Sequence, residues 1–268
     1  MTRWSDRQRA LLREMGLNAW ACAADSARSD TVAPGHGESI EHGPRRAAPA
    51  PAVETALPLV AAAATSVPAS IDVAAMDWDA LRAAVSACTA CGLCAERKNT
   101  VFGIGNQRAR WMIVGEAPGE QEDLRGEPFV GKSGQLLDRM LAALQLTRAD
   151  GVDVDRQVYI ANTLKCRPPA NRNPEPTEIA RCEPFLVRQI ELVQPAVIVA
   201  MGRFAVQALL RSGDPIGRLR GRVHRYRGVP LIVTYHPAYL LRNLQDKARS
   251  WEDLCLAKEV ADAATGAR

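Results

Sequence analysis

Short apolar runs separated by amphipathic stretches fill the second half of the chain. Trp111 to Val114 is apolar and β-prone and stops on Gly115, the pattern of a buried strand. Val158-Tyr-Ile-Ala-Asn162, Ala196-Val-Ile-Val-Ala-Met201 and Pro230-Leu-Ile-Val-Thr-Tyr235 repeat that pattern. Between the runs the spacing becomes helical. Leu136, Leu137, Met140, Leu141 and Leu144 share the face of a helix whose cap is read as Ser133, and Ile179, Phe185, Leu186, Ile190 and Val193 share that of a helix from about Thr177 to Val193. A shorter helix is predicted from Asp79 to Ala87, and a last one carries Trp251, Leu254, Leu256 and Val260. Apolar strands alternating with helices predict an α/β fold: a three-layer α/β/α sandwich around a central four-stranded parallel sheet.

In such sheets ligands bind in the crevice beyond the carboxyl ends of the strands. Glu116, Asn162 and His236 each lie at or just after a predicted strand end, so a parallel sheet gathers them along one edge. The loop from Gly115 to Gly131 adds glycines and prolines that let its backbone bend towards a ligand. It also carries Glu116, Glu120, Glu122, Asp123, Glu127 and one aromatic, Phe129. Ahead of Met76 the pattern changes. Asp6 to Gly16 reads as a short helix with Leu11, Leu12 and Met15 near one face, followed by Leu17 and Trp20. Residues 21–75 are rich in Ala, Pro, Ser and Gly without sustained periodicity, the composition of a flexible tether. The expected organisation is therefore an amphipathic segment (1–20), a linker (21–75) and a folded domain (76–268).

Composition refines this picture. A hydrophobic content of 47% and a charged content of 24% suit a soluble globular protein. The net charge of +4 hides an asymmetry: residues 1–80 hold 7 Lys+Arg against 10 Asp+Glu, leaving 27 against 20 for the rest. A basic folded part favours a polyanionic partner. Charges from Arg3 to Glu14 interrupt any signal-peptide core, and no apolar run approaches the ~20 residues that span a bilayer. A cytoplasmic protein with no membrane partner is expected.

Seven cysteines sharpen the chemistry. Cys88 and Cys91 form a C-x2-C pair, and Cys166 and Cys182 are spaced C-x15-C. Two such pairs suit four-thiolate binding of zinc or of an iron–sulfur cluster, and spacing does not separate the two. Cys94 extends the first pair without a fourth cysteine nearby; Cys22 lies in the tether and Cys255 in an apolar helical pattern. Of the histidines, His36 and His42 lie in the tether. His224 sits among Arg218, Arg220, Arg222, Arg225 and Arg227, a basic run read as an exposed hairpin or a phosphate-contacting one. His236 stands apart at a strand end.

Four motifs in order, Gly115-Glu-Ala-Pro-Gly-Glu-Gln-Glu-Asp123, Pro128-Phe-Val-Gly-Lys-Ser-Gly134, Asn162-Thr-Leu-Lys-Cys-Arg-Pro-Pro169 and His236-Pro-Ala-Tyr-Leu-Leu-Arg242, resemble those of the family 4 (iron–sulfur) uracil-DNA glycosylases. The resemblance runs from about Ala87 to Val260. It implies a [4Fe–4S] cluster on Cys88, Cys91, Cys166 and Cys182, with Cys94 not required. It also implies a base-excision repair enzyme that flips deoxyuridine out of single- or double-stranded DNA and hydrolyses its N-glycosidic bond. Phe129 would stack on the uracil, Asn162 would read its O4/N3–H edge, and His236 would donate to O2 of the departing anion. The Gly115–Gly119 backbone would contact base and water. Ala117 stands where family 1 enzymes place a water-positioning Asp, which leaves Glu116, Glu122 or a backbone-held water with diffuse electrostatic help as candidates for that task. Leu240, Leu241 and Arg242 resemble the wedge that enters the vacated space in DNA. Two other readings stay open: a uracil-DNA binder that traps its product covalently, although Ala170 to Pro176 lacks the His such proteins carry, and a non-enzymatic zinc or redox protein. The stretch Leu12 to Trp20 resembles the N-terminal peptide of the bacterial clamp-loader psi subunit. That implies docking of residues 6–20 on a replication or repair partner; the alternative is that this helix folds back on its own domain. A monomer associated with the nucleoid is expected.

Overall fold

The computed structural model describes residues 72–266. The expected docking segment, nearly all of the linker, and Cys22 lie outside the described residues. In chain order the elements are α1 (Trp78–Ser86), β1 (Ile104–Gly105), β2 (Trp111–Gly115), α2 (Glu120–Arg125), α3 (Lys132–Ala143), β3 (Val158–Asn162), α4 (Pro176–Val193), β4 (Val197–Met201), α5 (Arg203–Leu210), α6 (Ile216–Leu219), β5 (Val223–Tyr226), β6 (Val229–Thr234), α7 (Pro237–Leu240) and α8 (Lys247–Gly266). No helix among the described residues is long and apolar enough to cross a membrane.

The sheet has six strands in the order β1-β3-β2-β4-β6-β5, not the four expected. The four predicted strands form its parallel centre, and the two additions pair antiparallel at the edges. Neither edge strand has a readable apolar pattern. β1 is only two residues long, and β5 reads Val223-His-Arg-Tyr226, with Val223 and Arg225 exposed and His224 and Tyr226 half-buried. The basic run from Arg218 to Arg227 is thus partly a hairpin, β5 turning into β6 through Arg227 and Gly228, both at positive φ.

Alternation along the central strands sorts their side chains to two faces, as a period of two requires. Trp111, Ile113, Val158, Ile160, Val199 and Ile232 pack with Leu137, Met140 and Leu141 of α3 and Trp251 and Leu254 of α8. Met112, Val114, Ala161, Ile198, Ala200 and Val233 pack on the other face with Leu186 and Ile190 of α4 and Val206 and Leu209 of α5. A third apolar cluster, including Leu81, Val85, Leu93, Leu164, Ile179 and Phe185, lies around Cys166 and Cys182.

Two local expectations change. The acidic loop contains α2, whose first turn holds Glu120, Glu122 and Asp123, where carboxylates complement the helix dipole. Gly119 and Gly126 at its two ends give the stretch the pattern of a loop. Gly131, not Ser133, is the N-cap of α3. That helix starts against Phe129, and Gly134 allows the approach: a Cβ there would meet the Phe129 carbonyl oxygen at 1.7 Å. Gly134→Ala should therefore destabilise the fold by about 1–3 kcal/mol or more, as overpacking does. Gly213→Ala, at a site with nothing within 4 Å, should stay within about 0.5 kcal/mol of the parent. Urea unfolding of both variants checks this.

Candidate active site and cysteine site

Register decides which residues meet at the sheet's mouth. Gly115 pairs with Asn162, and Met201 with Thr234. The pairing of β2 with β3 then continues, since Thr163 N–H donates to Gly115 O (3.0 Å) and Leu164 N–H to Glu116 O (3.1 Å). Beyond these ends opens a cleft of about 1750 Å³, including its open mouth, lined by Glu116, Ala117, Glu122, Phe129, Asn162, His236 and Arg242. Gly115 lies beneath it: a Cβ there would come within 2.4 Å of Asn162 Oδ1 and 2.6 Å of Phe129 Cζ. All but two of the residues expected at the base and DNA sites line this cleft or form its floor.

The two exceptions, Leu240 and Leu241, differ from each other. Leu240 is 1% exposed and belongs to the core beneath α3, so it is not a surface wedge; Leu241 is 41% exposed, and Arg242 is exposed as well. The rotation of about 100° per residue along a helix puts adjacent leucines on different faces. The segment behind them is held by Tyr239, whose hydroxyl donates to Asp246 (2.8 Å) and whose ring stacks on Tyr235 with centroids 5.0 Å apart.

Asn162 is 2% exposed, and its Oδ1 has no hydrogen-bond partner. An orphaned buried acceptor costs about 1–3 kcal/mol, so its place at a cleft marks it as a group awaiting a donor. Phe129 adopts a positive φ of 55° and packs its ring near that of His236, with centroids 5.4 Å apart and planes inclined by 27°. Gly202, at a φ of 88°, leaves room for His236, because a Cβ would sit 2.9 Å from the histidine Cβ. His236 caps α7: its Nδ1 accepts the Ala238 N–H (3.2 Å). In the neutral ring an accepting Nδ1 leaves the proton on Nε2. Burial pushes the His236 pKa down to about 4; nearby Glu122 opposes the shift and Arg242 adds to it. The ring is therefore a neutral hydrogen-bond donor near pH 7.

The two glutamates part company. Glu122 turns back on its own loop and accepts from Gly119 N–H (3.1 Å), Val130 N–H (2.9 Å) and Gly131 N–H (3.1 Å). Among the described residues no donor reaches the Glu116 carboxylate. Burial raises its pKa to about 7, with the Arg203 charge pulling it down. Arg203, at the start of α5 directly after a strand end, joins the cleft lining. The strand-end rule that singles out Glu116, Asn162 and His236 applies to it equally.

The cysteines converge elsewhere. Cys88, Cys91, Cys94, Cys166 and Cys182 all line one void walled by Val85, Leu93, Leu164 and Phe185. Cys166 accepts from Arg97 Nη1 (3.1 Å) and Cys182 from the Lys165 N–H (3.2 Å). Burial raises the thiol pKa of Cys91 and Cys166, and that of Cys182 to about 12. Among the described residues no three Cys, His, Asp or Glu side chains are close enough to hold a single metal ion. Thiols gathered around one void, with N–H donors aimed at two sulfurs, make a donor set that fits a thiolate-bound metal group.

The histidine offers a check. With a folded pKa below the usual ~6.5, the folded protein resists a proton that the unfolded chain accepts. This contribution to stability is complete above about pH 6.5 and is lost as pH falls through 4. Nitrogen-15 NMR should show the His236 Nε2–H tautomer at pH 7 and no imidazolium until close to pH 4; an imidazolium at pH 6 would refute the assignment.

Comparison with known proteins agrees with this geometry. The uracil DNA glycosylase superfamily matches this chain over residues 102–257. The chain is 46% identical over 165 residues to a type-4 uracil-DNA glycosylase of Archaeoglobus fulgidus, covering 59% of this chain and 79% of that protein. It is 42% identical to one from Saccharolobus solfataricus, with 65% and 82% covered. Identity to one from Thermotoga maritima is 44%, with 62% and 83% covered. The chain belongs to the uracil DNA glycosylase superfamily, alongside its type-4 members.

Proposed function

We propose that this protein is a base-excision repair hydrolase that extrudes deoxyuridine from DNA, breaks its N-glycosidic bond, and leaves free uracil and an abasic site. The observation that carries this reading is the unpartnered, buried Asn162 Oδ1 facing the same cleft as a neutral His236. Uracil offers an N3–H donor beside its O4 acceptor. An amide whose oxygen takes N3–H and whose nitrogen gives to O4 reads that edge, whereas cytosine has an acceptor at N3 and a donor at C4.

As the C1′–N1 bond breaks, its electron pair leaves with the base, and negative charge develops over N1 and O2. The Nε2–H of His236 supplies a donor for O2 without itself losing a proton. Water oxygen adds to C1′, and one water proton must leave. Glu116, with a pKa of about 7, is poised to orient that water and take the proton, while Glu122 shapes the loop through its three backbone bonds. Phe129 offers the stacking surface, and the Gly115-to-Gly119 backbone, Ala117 included, flanks the base. Leu241 and Arg242 face the DNA.

Cys88, Cys91, Cys166 and Cys182 would hold a [4Fe–4S] cluster. When bound, the cluster would cross-link the segment after α1 to both the segment joining β3 to α4, through Cys166, and α4 itself, through Cys182. The remaining proposals rest on sequence pattern: the protein acts as a monomer in the cytoplasm on nucleoid DNA, and residues 6–20 dock a replication or repair partner.

Incubation with a labelled uracil-containing oligonucleotide, followed by alkali and a denaturing gel, tests the activity. Cleavage at uracil with turnover is expected; a stable slow-migrating adduct would favour covalent trapping, and an intact strand would refute both. His236→Ala and Asn162→Ala should each slow excision by at least ~10²-fold, the scale of one lost transition-state donor. Glu116→Gln should remove the inflection near pH 7 from the rate profile.

For the cysteine site, each Cys→Ser change at residues 88, 91, 166 and 182 should bleach the brown absorbance and lower iron and sulfide content. Cys94→Ser should leave both intact. Loss of the cluster in Cys94→Ser with retention in Cys182→Ser would overturn the ligand set.

A further inference from the structure

We propose that Lys165 is a positioning residue that ties the base-reading Asn162 to the cysteine site. This rests on the uracil-excision reading given above. Lys165 is 1% exposed and is among the largest fully buried side chains. Its Nζ donates to the backbone carbonyl of Asn162 (2.8 Å) and to Oε1 of Gln189 (2.6 Å). Gln189 is fully buried too, and its Nε2 donates to Phe102 O (2.9 Å) and to the Tyr159 hydroxyl (3.1 Å). Two acceptors on the amide nitrogen fix which way the amide faces, so its oxygen is committed to the ammonium.

The main chain of Lys165 works in the opposite direction. Its N–H donates to Cys182 Sγ (3.2 Å), and its carbonyl accepts the Val101 N–H (2.8 Å). One residue therefore grips the last residue of β3 with its side chain and a cysteine of α4 with its backbone. At Asn162 the grip acts where it matters. The ladder to β2 passes from Asn162 to Thr163 and Leu164, and the Asn162 carbonyl is the group that the ammonium takes. Fixing that carbonyl fixes the peptide plane after Asn162, and with it the direction in which its side chain leaves the backbone. Among the described residues no carboxylate partners Nζ. An apolar side chain of similar volume would be less costly to bury than an ammonium, which speaks against a mere filler.

A double-mutant cycle separates positioning from general support. Lys165→Met should keep its iron and sulfide, yet lower the single-turnover excision rate about 10–100-fold, by analogy with losing an outer-shell partner behind a metal ligand. It should also weaken binding to DNA carrying non-cleavable 2′-fluoro-deoxyuridine while sparing affinity for an abasic-site analogue. In the Asn162→Ala background, which keeps the carbonyl and removes the amide, the same change should alter the rate by no more than about twofold, the scatter seen for independent effects. Three results would overturn the proposal: a Lys165→Met rate within about twofold of the parent, an undiminished loss in the Asn162→Ala background, or loss of rate in proportion to loss of iron. If Lys165→Met does not fold, Gln189→Met decides, with a smaller loss that again collapses without the Asn162 amide; a parental rate in Gln189→Met would overturn the proposal. A parent protein that failed to excise uracil would instead strike the functional reading itself.

Discussion

At the end of β2, the Phe129 ring and the Asn162 amide both occupy space that a side chain on residue 115 would need. The cleft-facing groups depend on that close packing. Phe129 reaches it only by taking a left-handed backbone conformation, and α3 can begin where it does only because Gly134 lies flush against the Phe129 carbonyl. Gly202 makes the matching concession to His236 on the other side. Three glycines thus let three side chains converge from separate segments, which is the use glycine serves where backbone and side chain must approach closely.

The same parallel register that gathers the site gives its polar groups contrasting surroundings. Glu122 is consumed by three backbone N–H groups and stabilises the loop that carries Phe129. Glu116, six residues earlier in the same loop, has only the Arg203 charge to offset its burial. His236 spends one nitrogen on capping α7, which leaves the other with its proton. Environment, more than residue type, assigns these roles.

Much of this was legible in the chain because central strands and their helices bury whole faces, and burial writes a period into the sequence. Strand ends then located Glu116, Asn162 and His236. What could not be read lacks such a period. β1 is too short to show alternation, and β5 is largely solvated. α2 is bracketed by glycines that resemble loop residues. Leu240 and Leu241 are the same residue type side by side, and only the helical rotation between them sends one inward and one out. Lys165 gave no signal, since a lysine in a loop motif reads as solvated; its burial follows from Gln189 and the cysteine region meeting it from distant parts of the chain.

The inward turn of Leu240 bears on the thermodynamics of engaging DNA. A surface segment that is ordered only on contact gives up roughly 1–2 kcal/mol of backbone entropy per residue when it binds. Here Leu240 is locked in the core, and Tyr239 and Asp246 brace the chain beyond it. That ordering is completed during folding, so on the proposed reading Leu241 and Arg242 would meet the duplex already in place. Contact energy at this point is then free to oppose the unstacking of the extruded nucleotide, rather than being absorbed in stiffening the protein.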